Sequence, residues 1–229
     1  MRAAIYYAPL PGMPLADAAA RWFGRDAFSG LLTRKPNPRI DALAREPARY
    51  GFHATLKAPF RLADGRALDE LAASLDAFAA TRQGFTIPGI ALTRLGRFFA
   101  LVPDRPVPAL DALERDALSH FEPFRAPLSE AELARRRPEK LTPRQRELLA
   151  AWGYPYVLDE FRFHLTLTGP VAADETPWTE TMLSARFASF LGKPLAVEAL
   201  TLFVEPEPAA PFAAHSIHSF KLLSAAAPA

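Results

Sequence analysis

The chain has 229 residues, half of them hydrophobic and 23% charged, with a formal net charge of +2. This composition predicts a packed globular core in one large domain or two small lobes. It argues against a strong non-specific nucleic-acid binder, and the absence of cysteine excludes disulfides, thiolate zinc sites and a cysteine nucleophile.

In chain order, Ala3 to Ala8 reads as a strand and Leu15 to Phe23 as a helix with Leu15, Ala19, Trp22 and Phe23 on one face. Residues 34–48, with Pro36, Pro38 and Pro47, read as mostly loop. A strand is expected over about 50–57, limited by Pro59, followed by an amphipathic helix over Ala67 to Arg82. Strands near 85–94 and 97–103 turn at Gly96, and Ala109 to Phe121 is helical. In 122–155, Ser129 to Arg137 and a segment from Thr142 to Gly153 read as short capped helices. A second strand over about 156–168 precedes a helix over Pro177 to Leu191, strands over Leu195 to Val204 and Ala213 to Leu223, and a frayed tail from Ala225 to Ala229.

One short strand is written twice, as Phe52-His53-Ala54-Thr55-Leu56 and Phe163-His164-Leu165-Thr166-Leu167. Side chains alternate along a strand, so His53 and Thr55 share a face, as do His164 and Thr166, while the apolar neighbours face a core. Each copy heads the order strand, helix, strand, strand. This two-copy repeat predicts an α+β, bilobal duplicated fold: lobes of roughly 1–121 and 156–229 around a central cleft, with 122–155 a helical insertion. Alternation also places Lys57 with the first histidine, and Arg162 and Thr168 with the second. Two imidazoles, hydroxyls and cations without a carboxylate make an anion site suited to phosphate. A neutral and a protonated imidazole flanking one phosphate can act as general base and general acid, and this chemistry calls for no metal or cofactor. Of Tyr6 and Tyr7, alternation lets one face the cleft, and Tyr50 and Tyr154 are candidates to stack on a base or sugar.

The remaining histidines read otherwise. His215 and His218, three apart in a strand, face opposite sides, which is poor geometry for a shared metal. His120 lies near a helix end. Arg135-Arg136-Arg137 reads as a solvated helix end, with a phosphate-gripping lid as the minority reading.

The segments 49–60, 92–103 and 161–169 carry a resemblance to the two-histidine phosphoesterase superfamily, marked by paired His-x-[Thr/Ser] strands with apolar flanks. Within it, the chain looks most like an uncharacterised bacterial group of phosphonate-metabolism proteins. The resemblance implies a LigT-like fold, two pseudo-symmetric lobes of antiparallel sheet with helices outside. It also implies metal-independent opening of a cyclic phosphodiester, with His53 and His164 as the acid/base pair and Thr55 and Thr166 as phosphate-binding hydroxyls. The group's link to phosphonate operons makes a ribosyl cyclic phosphate an attractive substrate.

Three functions stay open: hydrolysis of a small cyclic nucleotide or ribosyl phosphate; processing or 2′–5′ ligation of RNA ends, which needs a basic track; and a non-catalytic phosphate-ligand module. The N-terminus does not read as a signal peptide and no stretch approaches the ~20 apolar residues of a membrane span. A cytoplasmic protein without a membrane partner is expected, and a monomer is compatible with the sequence.

Overall fold

The computed structural model describes residues 1–221. Its architecture is α+β. One antiparallel sheet has the order β2-β1-β8-β9, formed by β2 (Ala54–Phe60), β1 (Arg2–Tyr7), β8 (Ala199–Glu205) and β9 (Ala213–Ser219). A second has the order β4-β5-β6, formed by β4 (Ile90–Leu95), β5 (Phe98–Pro103) and β6 (Leu165–Thr166). A two-stranded ladder joins β3 (Phe85–Ile87) to β7 (Leu195–Val197). The helices are α1 (Pro14–Phe23), α2 (Pro38–Tyr50), α3 (Leu68–Ala80), α4 (Pro108–His120), α5 (Glu130–Arg135), α6 (Pro143–Trp152) and α7 (Thr176–Phe187).

The histidine motifs occupy matching places, since β2 and β6 are each an edge strand paired antiparallel to one neighbour. The sheets, however, do not follow a division into 1–121 and 156–229. The N-terminal β1 pairs with the C-terminal β8, and β5 from the first half pairs with β6 from the second. One core runs through both sheets, joining Ile5, Leu56, Leu75, Phe121, Leu165 and Leu202. The Trp22 indole N–H of α1 ties the halves together by donating to the Leu167 carbonyl at 2.7 Å, in buried surroundings. No helix among the described residues is long and apolar enough to cross a membrane.

Several expectations are corrected. Residues 38–50 are helix rather than loop: Pro38 sits in the first turn, where its missing N–H costs nothing, and Asn37 caps the end by accepting from the Ile40 N–H at 3.2 Å. Pro59 lies inside β2, tolerated because β2 is an edge strand. The strand expected over 156–168 shrinks to two residues, since the chain before it makes a 3₁₀ turn at Leu158–Glu160 with Leu158 at φ 54°. The strands expected over 85–94 and 195–204 each divide, because β3 and β7 leave to pair with one another. The helix expected to reach Leu191 ends at Phe187, and the last strand at Ser219. Residues 222–223 of that strand and the 225–229 tail lie outside the described residues.

Candidate active site

His53 stands just before β2 and His164 just before β6, and the two imidazoles reach the same cavity, of about 430 Å³, together with Thr55 and Thr166. Their local chemistry is duplicated. His53 Nδ1 lies 2.9 Å from the Gly51 carbonyl, and His164 Nδ1 lies 2.7 Å from the Arg162 carbonyl. A carbonyl only accepts, so each Nδ1 carries the hydrogen and each neutral ring keeps its Nε2 lone pair available. In both halves, then, the backbone two residues upstream sets the tautomer and the ring orientation.

The surroundings favour neutral rings. Burial, opposed by the carbonyl bond and assisted by repulsion from His164, lowers His53 to about 4. Burial also lowers His164. His53 stacks on Tyr6, with ring centroids 3.7 Å apart and planes 23° from parallel. Burial and the neighbouring Tyr50 and Tyr154 hold the Tyr6 phenol well above its ordinary range, while Arg2 and Arg136 act in the opposite direction. Tyr6 therefore enters the site as a neutral phenol.

Register explains which side chains reach the cleft. Tyr6 pairs with Thr55 across β1 and β2, and directly paired residues share a face, so both line the cavity. Tyr7 faces away and donates from its hydroxyl to the Ala196 carbonyl at 2.9 Å. Tyr50 and Tyr154 line the cavity as well.

Lys57 does not line this cavity. A register slip sets it opposite Ile5, a core residue, so strict alternation fails after Thr55. Only 2% exposed, it donates to the Leu118 carbonyl at 3.0 Å and to Glu122 Oε2 at 2.8 Å, tying β2 to α4 and the turn beyond. Thr168 is also structural: buried, its Oγ1 accepts from the Phe99 N–H at 3.0 Å. Arg162 lines an adjoining compartment of about 660 Å³, which shares Thr55, Tyr154 and His164 with the first and adds Arg94 and Phe98. Thr55, Tyr154 and His164 thus sit where two compartments meet.

The sequence reading missed Arg2 and Arg49 and set Arg135 and Arg136 aside as solvated, yet all four line the first cavity. Arg2 had a readable signal, since positions 2, 4 and 6 of β1 share a face. Arg49 lies one residue before the end of α2, a helix that Pro38 and Pro47 disguise in the sequence. His218 is a satisfied buried histidine, with Nδ1 2.6 Å from Asp76 Oδ1 and Nε2 2.7 Å from Ser216 Oγ. His120 contacts Ser74 Oγ at 3.0 Å.

Among proteins of known name, the chain is 38% identical over 221 residues to "Ribose 1,5-bisphosphate phosphokinase PhnN" of Janthinobacterium sp. (strain Marseille), covering 92% of this chain and 49% of that protein. It is 37% identical over 224 residues to the protein of the same name from Laribacter hongkongensis (strain HLHK9), covering 93% and 50%. The chain spans about half the length of these relatives. Among solved structures, E. coli LigT complexed with 3′-AMP aligns with a TM-score of 0.46 and 16% identity over 96% of this chain and 97% of that one. A structure described as a phosphoesterase aligns with a TM-score of 0.44 and 17% identity over 96% and 98%. Likenesses this distant carry no argument about chemistry. A family described as "Protein of unknown function (DUF1045)" matches residues 55–213, from Thr55 through the whole second histidine motif. With most of its length matched in this way, the chain belongs to the DUF1045 family.

Proposed function

We propose that the chain opens the cyclic phosphodiester of a small ribosyl or nucleotide substrate, with His53 and His164 as the acid/base pair. The observation that carries this reading is the duplicated unit: two imidazoles, each oriented by an Nδ1–H bond to the carbonyl two residues upstream, with one threonine apiece, in one cavity. The substrate phosphorus lies between the rings, and the Thr55 and Thr166 hydroxyls donate to its non-bridging oxygens. His53, the more strongly neutralised ring, accepts a proton from water through Nε2 as the water oxygen attacks phosphorus. The bond from phosphorus to one ring oxygen breaks. That oxygen takes its proton from His164, whose protonation is favoured once the phosphate anion is bound. The product is a phosphate monoester beside a free hydroxyl, and solvent resets the two protons.

The relatives' printed name refines the substrate. Opening a 1,2-cyclic phosphate of ribose 5-phosphate at its 2-oxygen yields ribose 1,5-bisphosphate, the compound that name says is phosphorylated. The 229 residues hold no G-x-x-x-x-G-K loop, so the reading assigns them the ring opening and not the phosphorylation in that name. The test is turnover of ribose 1,2-cyclic phosphate 5-phosphate and of 2′,3′-cyclic nucleotides. His53→Ala and His164→Ala should each lower kcat by about 10²–10⁴, the usual worth of a general acid or base, with circular dichroism intact and EDTA without effect. Full activity in both variants overturns the reading.

A further inference from the structure

The cavity holding the two histidines is also lined by four arginines that the ring-opening chemistry does not use. Arg2, Arg49, Arg135 and Arg136 reach it from three parts of the chain, namely β1, the end of α2, and the end of α5 within the segment 122–155. Charge is uncompensated there. Arg2 and Arg49 both bond the same carboxylate, Glu205, with Arg2 Nη2 at 2.9 Å from Oε1, so two cations share one anion. Arg135 and Arg136 make no ion pair among the described residues. Glu132, the one carboxylate that lines the cavity among the described residues, is already taken by Arg61 and by the Ser129 N–H.

Three of these guanidiniums are also held in place. Glu205, only 2% exposed at its side chain, fixes the forks of Arg2 and Arg49 from behind. Arg136 lies over the Tyr154 ring, 4.9 Å from its centroid, and Tyr154 borders both compartments of the cleft. Planar forks arriving from separate elements suit an anion with several equivalent oxygens. A terminal phosphate monoester, with three such oxygens and close to two charges near neutrality, fits better than a planar carboxylate.

We propose that these arginines form a second anion subsite. It grips a non-reacting phosphate monoester on the substrate whose cyclic phosphate lies between His53 and His164. The inference rests on the ring-opening reading for the position of the substrate and adds what holds its far end. It makes the bis-phosphorylated sugar the preferred class over an unphosphorylated one. It also gives the segment 122–155 a role, since that segment delivers Arg135 and Arg136.

Calorimetric titration decides it, with ribose 1,2-cyclic phosphate and its 5-phosphorylated form as probes and the His164→Asn protein as receptor, so that neither probe is consumed. The 5-phosphate should tighten binding roughly 10- to 100-fold, the worth of charge-assisted hydrogen bonds. Arg136→Gln, at the end of a short exposed helix, and independently Arg49→Gln should reduce that ratio towards one. Equal affinities for the two probes, or a ratio that survives in both arginine variants, overturns the subsite. Turnover of the same probes by the wild-type protein is a separate readout. If neither probe is opened yet the ratio behaves as stated, the subsite stands and the ring-opening reading falls.

Discussion

The neutral state of His53 makes stability depend on pH in a direction that can be worked out. In the unfolded chain its imidazole titrates near 6.5, whereas in the fold burial lowers it to about 4. Between those values the unfolded state binds more protons, so stability is fully present above about 6.5 and is lost as pH falls towards 4. Integrating the two titrations gives a loss of about 2 kcal/mol between about pH 7 and about pH 5, and about 3 kcal/mol once both states are protonated. Glu114 works in the opposite sense. Burial raises its carboxyl to about 7, so its contribution to stability grows as pH falls. The readout is therefore the difference between wild type and His53→Gln in urea unfolding, measured at steps from pH 7.5 to 4.5. Wild-type stability should fall relative to the variant by about 2 kcal/mol by about pH 5. A flat difference, or one of opposite sign, would show that His53 is protonated as readily in the fold as in water, and the assignment of His53 as base would lose its support.

Two further outcomes follow from the geometry. Gly51 supplies the carbonyl that orients His53 from a backbone at φ 80° and ψ 174°, and an added Cβ would lie 2.6 Å from Ala27 Cβ. Gly51→Ala should cost about 2–4 kcal/mol in urea unfolding, from backbone strain and overpacking together, and lower kcat in the protein that remains folded; unchanged stability refutes the strain. Lys57→Met should retain turnover and change KM little, because Lys57 faces Leu118 and Glu122 rather than the cleft; a loss comparable to His53→Ala returns Lys57 to the phosphate site.

How far the site was legible depends on the range of the forces that build it. The paired motifs were readable because alternation is a local property of extended backbone: His53 and Thr55 fall on one face by counting, as do His164 and Thr166, whereas the choice between Tyr6 and Tyr7 rests on the pairing of β1 with β2. Lys57 was misplaced because one slipped register undoes counting, and that slip is set by how β2 meets β1, which lie far apart in sequence. Helix α2 was hidden by its prolines, although Asn37 and Pro38 together form a legible start signal.

By itself, then, the sequence determined a duplicated α+β chain with two imidazole–hydroxyl pairs, since period-2 alternation and apolar flanks act within a few residues. Tertiary structure alone decided that the sheets draw strands from both halves, because β1 finds partners on either side only when β2 arrives from the first half of the chain and β8 from the second. It alone also brought Arg2, Arg49 and Arg136 to one cavity, with Arg2 and Arg49 held by a buried carboxylate about 200 residues from Arg2. No local rule links those positions, whereas the packing of β1, α2 and the 122–155 segment around one cleft does.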